Sequence, residues 1–235
     1  MNSCEFVPLS QHDILDIREC ETIREAVLAV RPCWTSRAGG GFFTLGAASY
    51  IDATQNRTEY AEQAKRANPI LQDQFGWVHE RVRSFFEELL DDRVFYSGEH
   101  ALPGFHIFKL AGEDRSGDNA AMRAHFDLQW MHAVAGQHPT GTLSFTLPVT
   151  VPSGGSSMEI WPIRYQEAVQ LRFTAIDYAS KHPSQIVRYV PGRVVIHDGL
   201  ILHAIGRAFS PTPKGFRITL QGHGIKLPEG WMLYW

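Results

Sequence analysis

A series of about ten short apolar runs after Asp92 limits the possible folds of this chain more than any other feature. Turns that contain glycine, proline or aspartate separate many of these runs, and few of the intervals have room for a helix. Strands so close in sequence favour antiparallel pairing, because a parallel pair needs a long crossover. We therefore predict an antiparallel sandwich or jelly roll. The predicted strands are 93–96, 105–111, 124–130, 142–149, 157–161, 171–175, 186–190, 193–197, 200–205 and 216–222.

The first 92 residues have a mainly helical pattern. One helix is expected after a cap at Ser10 and ends before Pro32, and residues 42–51 resemble a strand. A polar helix is expected over 58–67, and Pro69 is expected to begin another helix. That last helix carries apolar residues three and four positions apart, which predicts one continuous packing face. These residues are Leu71, Phe75, Val78, Val82, Phe85 and Leu89. We expect the helices to cover the outside of a sheet.

Length and composition indicate one soluble domain. The chain has 235 residues, of which 44% are hydrophobic, so it can bury a sizeable core. We expect a single domain over 1–235, with a helical layer and one or more strands in 1–92 and the jelly roll in 93–235. A net charge of −3 gives no reason to expect nucleic acid or a membrane as partner. The lack of an apolar span or signal pattern and the odd cysteine count of three predict a cytoplasmic protein.

Strict alternation over Ala124–Trp130 places one imidazole and one carboxylate on the same side of a predicted strand. His125, Asp127 and Gln129 share this side, so His125 and Asp127 could provide two ligands of a metal site. With eleven histidines in the chain, a single His-x-Asp has about an even chance of arising at random. Most such histidines are hydrogen-bonded structural residues, so the metal interpretation needs a third ligand elsewhere.

Two later strands carry polar groups that could complete the site. His203 interrupts an apolar strand, which the Asp198-Gly199 turn is expected to join to 193–197 as a tight hairpin. A buried histidine needs a hydrogen bond or a metal, and a satisfied core histidine would explain it equally well. Arg217 and Thr219 share one side of the strand after it. An inward guanidinium needs an anion, whereas the alternative is a surface arginine on a half-exposed strand.

The combination of these groups, in this order, resembles the Fe(II)/2-oxoglutarate-dependent dioxygenases. Residues 191–204 are similar to the hairpin that carries the distal histidine of that superfamily, and the resemblance covers about residues 100–225 and the preceding long helix. It implies a double-stranded β-helix (jelly-roll, cupin-like) core, with N-terminal helices packed on one sheet. It further implies that His125, Asp127 and His203 bind Fe(II). Arg217 would hold the distal carboxylate of 2-oxoglutarate, with Thr219 assisting.

The resemblance also implies a reaction. Two imidazoles and one carboxylate leave three metal positions open, enough for a chelating 2-oxo acid and O2. Family chemistry then releases succinate and CO2 and oxidises a substrate C–H bond. Asp127 stands where halogenating relatives have a small residue, so hydroxylation, desaturation or cyclisation is expected. The short chain leaves little room for a module that recognises proteins. A small molecule, such as an amino acid or a natural-product intermediate, is therefore the expected substrate, and the oligomeric state stays open.

Several further residues are candidates for the cavity, and two other functions stay open. The possible substrate or cavity residues are His106, Arg123, Gln129, His132, Trp161 and Arg164. His197, beside the turn, is expected to be structural. One rival is a cupin-like metalloenzyme that does not use 2-oxoglutarate, which would not need an inward Arg217. The other is a non-catalytic jelly-roll binding module, which would not need three ligands. The aromatic C-terminus, 231–235, could pack on its own sheet or on a second subunit.

Overall fold

Two facing β-sheets with helices on their outer sides form the protein in a computed structural model that describes residues 9–40, 42–109, 123–134, 136, 138–153, 155–208 and 215–235. The strands are β1 (Ser10–Asp13), β2 (Thr35–Arg37), β3 (Phe42–Leu45), β4 (Val94–Tyr96), β5 (Gly104–Lys109), β6 (Gly141–Thr150), β7 (Ser156–Arg164), β8 (Gln185–Arg188), β9 (Arg193–His197), β10 (Ile201–Ala208), β11 (Phe216–Leu227) and β12 (Gly230–Tyr234). The helices are α1 (Ile17–Ala29), α2 (Ser49–Gln55), α3 (Arg57–Leu90), α4 (Trp130–Ala133), α5 (Tyr165–Leu171) and α6 (Ala175–Lys181).

The larger sheet has the strand order β1-β9-β6-β11-β5-β3-β2, and β12 extends it by pairing with β11. The smaller sheet has the order β10-β7-β8. Every strand pair described is antiparallel except β4 with β12. The mainly antiparallel jelly-roll core is therefore confirmed. The layer before residue 93 also adds strands to the larger sheet, because β1 pairs with β9 and β3 pairs with β5.

Apolar side chains on the outer face of the larger sheet pack against α1 and α3, as the stripe on the long helix predicts. This cluster includes Val27, Leu71, Phe75, Val82, Phe86, Phe105, Ile107, Phe145, Leu147, Ile218 and Leu220. The outer face of the smaller sheet is covered by α5 and α6, through Trp161, Ile163, Ala168, Ala179, Leu202 and Ala204. Because side chains alternate along a strand, the neighbours of these residues face the space between the sheets. That inner space contains the predicted site residues of β5, β10 and β11.

The boundaries of the N-terminal helices differ from the predictions. Asp16, not Ser10, caps α1, and residues 10–13 form an edge strand instead. The two helices predicted on either side of Pro69 are one helix, α3, which departs from helical geometry at Phe75. The Asn68 side chain does not begin a new helix, because it bonds to His100 and Leu102 in the following loop. In the described ranges, no helix is both long and apolar enough to cross a membrane.

Two predicted strands are also wrong, and one lies partly outside the described residues. The strand predicted over 42–51 ends at Leu45, because Gly46 has a φ of +116° and α2 begins at Ser49. Residues 171–175 end α5 and begin α6. The final residues of the strand predicted over 105–111 belong to 110–122, which the structure does not describe. The aromatic C-terminus is buried on its own sheet through the pairing of β12 with β11.

A buried ion pair fixes α2 against the edge of the larger sheet. The two guanidinium Nη atoms of Arg37, on β2, each lie 2.7 Å from a carboxylate oxygen of Asp52, on α2. The Nε atom of Arg37 also donates to Thr44 Oγ1 at 3.0 Å. The side chains of Arg37 and Asp52 are only 11% and 4% exposed. Loss of either partner would leave the other charge poorly solvated.

We expect Asp52→Asn to lower the free energy of unfolding by about 3–5 kcal/mol, because it leaves the Arg37 charge buried without its partner. Glu62→Gln is the matched control, since Glu62 pairs with Lys65 where both side chains are more than half exposed. Its effect should stay below about 1 kcal/mol. Urea unfolding measures both values. Equal losses for the two variants would contradict the stabilising role assigned to the buried pair.

Candidate metal centre

Three side chains of metal-ligand type meet in the space between the sheets. The Nε2 atom of His203 lies 3.4 Å from Asp127 Oδ2, and that of His125 lies 3.7 Å from Asp127 Oδ1. The ligand atoms of the three residues all lie within 4.8 Å of one another. Asp127 and His203 are 11% and 7% exposed, whereas the His125 side chain is half exposed. The cluster is therefore closed on the side of His203 and open on the side of His125.

Backbone carbonyl groups orient both imidazoles. The Nδ1 atom of His125 lies 2.7 Å from the Arg123 carbonyl oxygen, and that of His203 lies 2.9 Å from the Ile201 carbonyl oxygen. A carbonyl oxygen only accepts, so each Nδ1 atom carries a hydrogen in these bonds. In the neutral rings, both Nε2 atoms then keep a lone pair on the side of Asp127. Metal-binding histidines are commonly oriented through the other ring nitrogen in this way.

The segment that carries His125 and Asp127 is not the regular strand predicted for 124–130. It forms a single bridge, in which the His125 and His203 backbones exchange hydrogen bonds of 2.9 and 3.1 Å. The Asp127 amide then donates to the Gly199 carbonyl at 2.8 Å, and α4 begins at Trp130. The alternating pattern does identify His125 and Asp127 as residues of the same cluster. The chain nevertheless leaves the extended conformation before Trp130.

The Asp198-Gly199 turn does not form the predicted hairpin, because β9 belongs to the larger sheet and β10 to the smaller one. Asp198 Oδ1 accepts bonds from the amides of Leu200 and Ile201, and its carbonyl accepts from Thr142 Oγ1 at 2.7 Å. Gly199 has a φ of +74°, and a Cβ atom there would lie 3.2 Å from the Cβ atom of Asp127. The turn thus requires glycine, and β10, which follows it, places His203 opposite His125 and within 3.4 Å of Asp127.

The pKa shifts show that Asp127 is the negative centre of the cluster. Burial raises the pKa of Asp127, but His203, His223 and His125 outweigh this effect and hold the pKa well below its usual value. Burial lowers the pKa of His203, but attraction to Asp127 and a hydrogen bond with it raise the pKa overall. A cation between these atoms, whether a proton or a metal ion, is stabilised by the carboxylate. The donor set of two imidazoles and one carboxylate suits Fe(II).

Two more histidines adjoin the cluster, and sequence reasoning overlooked one of them. His223 Nδ1 lies 4.0 Å from Asp127 Oδ2 and 3.0 Å from Ser144 Oγ. Burial lowers its pKa to about 4, so the ring is uncharged at neutral pH and gains its charge only in the acidic range. His223 could have been found by extending the alternation of Arg217 and Thr219 along the same strand. The His197 ring centroid lies 4.4 Å from that of His203, and its Nδ1 atom accepts a bond from the Gly199 amide.

Arg217 is buried between the sheets and has no carboxylate partner among the described residues. It is 4% exposed, its Nη1 atom donates to Ser156 Oγ at 3.1 Å, and its Nε atom has no hydrogen-bond partner in the described part of the chain. Burial lowers its pKa to about 10, so it remains charged at neutral pH. Thr219 is 2% exposed and lies on the same side of β11. Such a buried charge fits an anionic ligand.

The other candidate residues differ in their positions. His106 is buried on the inner face of β5, opposite Thr219 in the strand register. Arg123 donates to the Ile205 carbonyl at 3.2 Å. Gln129 is buried at the start of α4, and His132 is exposed on that helix. All four come from β5 or from the segment around His125 and Asp127.

Two candidates have positions that do not support a direct role at the site. Trp161 lies on the outer face of the smaller sheet, where its Nε1 atom donates to the His182 carbonyl at 3.0 Å. Its apolar neighbours on α5 and α6 explain why it is buried. Arg164 pairs with the Asp198 carboxylate, so it supports the turn before His203. A tryptophan near the end of a strand does not reveal which face it occupies unless the register is known.

Solved structures provide the comparison, since no protein-family model and no curated protein matches this sequence. An N-substituted L-amino acid dioxygenase from Burkholderia ambifaria AMMD, in complex with alpha-KG, is 17% identical, with a TM-score of 0.60 over 97% of this chain and 86% of that one. EvdO2 from Micromonospora carbonacea var. aurantiaca, complexed with 2-oxoglutarate, is 14% identical, with a TM-score of 0.51 over 93% and 86%. A 2OG-Fe(II) oxygenase family oxidoreductase from Burkholderia pseudomallei is 11% identical, with a TM-score of 0.50 over 94% and 85%. The chain shares the overall fold of these three structures.

We expect Asp127→Ala and His203→Ala to weaken Co(II) binding more than about 100-fold, because changes to groups that merely orient ligands already weaken metal binding 10–100-fold. His132→Ala is the control, since His132 is exposed on α4. Anaerobic titration monitored by Co(II) absorption measures the affinities, and circular dichroism checks the fold. Wild-type affinity in a folded Asp127→Ala variant would show that Asp127 is not a ligand.

Proposed function

We propose that this protein is an Fe(II)- and 2-oxoglutarate-dependent oxygenase that oxidises a C–H bond of a small molecule and releases succinate and CO2. One observation carries the proposal. The cluster of His125, Asp127 and His203 and the buried Arg217, which has no carboxylate partner in the described ranges, face the same space between the sheets. A metal site alone does not require the guanidinium, and a binding module does not require the three ligands.

Each of these residues has a defined task in the proposed reaction. His125, Asp127 and His203 would hold Fe(II), with the Asp127 carboxylate offsetting part of its charge. When bound, the metal with 2-oxoglutarate and O2 couples the decarboxylation of the 2-oxo acid to the oxidation of a C–H bond. Arg217 would bind the distal carboxylate of 2-oxoglutarate through its planar fork, and the Thr219 hydroxyl would add one hydrogen bond. Burial between the sheets strengthens these contacts because water is excluded.

The exposed side of the cluster supports a small-molecule substrate. The His125 side chain is half exposed, so a substrate could reach the ligands from this side, next to Arg123, whose carbonyl oxygen lies 2.7 Å from His125 Nδ1. Asp127 leaves no vacant ligand position of the kind that halogenating relatives use, which favours hydroxylation, desaturation or cyclisation. The shared fold with a dioxygenase of N-substituted L-amino acids supports, at 17% identity, an amino acid as the substrate.

Anaerobic spectroscopy tests the proposal directly. Fe(II) followed by 2-oxoglutarate should produce a weak visible metal-to-ligand charge-transfer band, which chelation of the metal by the 2-oxo acid creates. Succinate release under air, with candidate amino acids added, then identifies substrates by the stimulation they cause. A folded protein that binds Fe(II) but gives no band with 2-oxoglutarate would favour the cupin-like metalloenzyme. A folded protein that binds neither would favour the binding module.

We expect Arg217→Met to weaken 2-oxoglutarate binding by about 30-fold or more, because loss of a buried charged partner typically costs 2 kcal/mol or more. Arg217→Lys should restore only part of the affinity, since an ammonium group cannot bind a carboxylate with a planar fork. Arg188→Met, at an exposed position on β8, is the control. Titration of the charge-transfer band measures all three variants. Normal affinity in Arg217→Met would contradict the role of Arg217.

A further inference from the structure

His106 lies beside the proposed carboxylate site on the inner face of the larger sheet. In the strand register it stands directly opposite Thr219, and Arg217 stands opposite Phe108. The Phe108 ring contacts both groups, with its centroid 4.1 Å from the Arg217 Cζ atom and 6.0 Å from the His106 ring centroid. His106 is 3% exposed. Its imidazole therefore lies in the same buried region as the guanidinium.

One nitrogen of the His106 ring has a partner and the other has none. The Nε2 atom is hydrogen-bonded to the Tyr50 hydroxyl, whereas the Nδ1 atom is buried without a partner in the part of the chain that is described. Burial lowers the pKa of His106 to about 3, so the ring is neutral and has a single N–H group. Burial raises the pKa of Tyr50, so its hydroxyl keeps its proton.

The chemistry of the pair favours one of the two tautomers of His106. A phenol is a good donor and a bare imidazole nitrogen is a good acceptor, which favours donation from the Tyr50 O–H to Nε2. In that tautomer the hydrogen of the ring lies on Nδ1, where the described residues provide no acceptor. Such a group is costly to leave unpaired. An oxygen-rich ligand in the space beside Arg217 would satisfy it.

We propose that the Nδ1–H group of His106 donates a hydrogen bond to the distal carboxylate of 2-oxoglutarate, and that Tyr50 is the positioning residue that fixes this tautomer. The inference rests on the proposed function. A carboxylate offers about four acceptor positions, so Arg217 and Thr219 leave room for a further donor. The ion pair between Arg37 and Asp52 holds α2, and with it Tyr50, against the sheet. The N-terminal layer thus takes part in ligand binding.

Two substitutions of His106 distinguish the roles of its two ring nitrogens. In His106→Asn the side-chain amide N–H can occupy the place of Nδ1, whereas in His106→Gln it can reach the place of Nε2, next to Tyr50. Calorimetry on the Mn(II)-loaded full chain, with 2-oxoglutarate and with pyruvate, gives the affinities, and thermal melting checks the fold. Pyruvate is the control ligand because it has the chelating end of 2-oxoglutarate but no distal carboxylate.

We expect His106→Gln to bind 2-oxoglutarate about tenfold more weakly than the wild type, His106→Asn to stay within about threefold, and pyruvate affinity to be unchanged in both. Wild-type 2-oxoglutarate affinity in His106→Gln would overturn the inference while leaving the proposed function intact. An equal loss of affinity for 2-oxoglutarate and pyruvate would also overturn it, since the substitution would then act on the metal-chelating end that both ligands share. A wild-type protein that binds Mn(II) but not 2-oxoglutarate would instead overturn the proposed function.

Nuclear magnetic resonance of the wild-type Zn(II)-loaded protein with 15N-labelled histidine tests the tautomer without any change to His106. We expect the hydrogen on Nδ1, a shift of this N–H signal when 2-oxoglutarate is added, and no shift with pyruvate. In Tyr50→Phe the signal should change to a mixture of tautomers, with weaker 2-oxoglutarate binding. A hydrogen on Nε2 in the wild type would contradict the proposal. So would an Nδ1–H signal that 2-oxoglutarate leaves unchanged, as expected for a bond to a trapped water.

Discussion

The hydrogen bond between the Asp127 amide and the Gly199 carbonyl joins the two halves of the site. At Gly199 the chain passes from the larger sheet to the smaller one, and the positive φ and the missing side chain bring the turn close to Asp127. The bridge between His125 and His203 continues this contact. The three ligand-type side chains are therefore arranged mainly by backbone contacts. The positions of their Cβ atoms are fixed before any metal contributes energy.

The two faces of the larger sheet differ in the residues they carry and in what those residues do. Its outer face packs apolar residues against α1 and α3, which provides the main core of the protein. Its inner face carries polar groups that are expensive to bury, among them Arg217, His106 and His223. Because side chains alternate along each strand, the apolar residues and the polar residues lie on opposite faces of the same sheet. The stability of the outer face can thus offset the cost of incompletely paired polar groups inside.

Strand alternation allowed a large part of the fold and site to be predicted. It placed Arg217 and Thr219 on one side of β11, and the apolar stripe from Leu71 to Leu89 identified the packing face of α3. The strand that alternation predicts over 124–130 was wrong. A short alternating run cannot show that the chain leaves the extended conformation after a single bridge. The prediction of a hairpin at Asp198-Gly199 was wrong for a related reason. A tight turn has the same sequence signature whether the strands on its two sides belong to one sheet or to two. The Tyr50–His106 contact joins residues far apart in sequence, and no local pattern indicates it.

The strand order of the larger sheet has a consequence for attempts to isolate the barrel. The two end strands along the main order of the sheet, β1 and β2, both come from the first 37 residues, whereas the branch through β12 ends at β4. A shortened chain that begins near residue 93 would present the unpaired backbone groups of β9 and β5 at the two ends of the sheet. Open edges of this kind recruit strands from other molecules. By pairing with β9 and β5, strands of the N-terminal segment leave fewer backbone groups of the larger sheet open to other molecules.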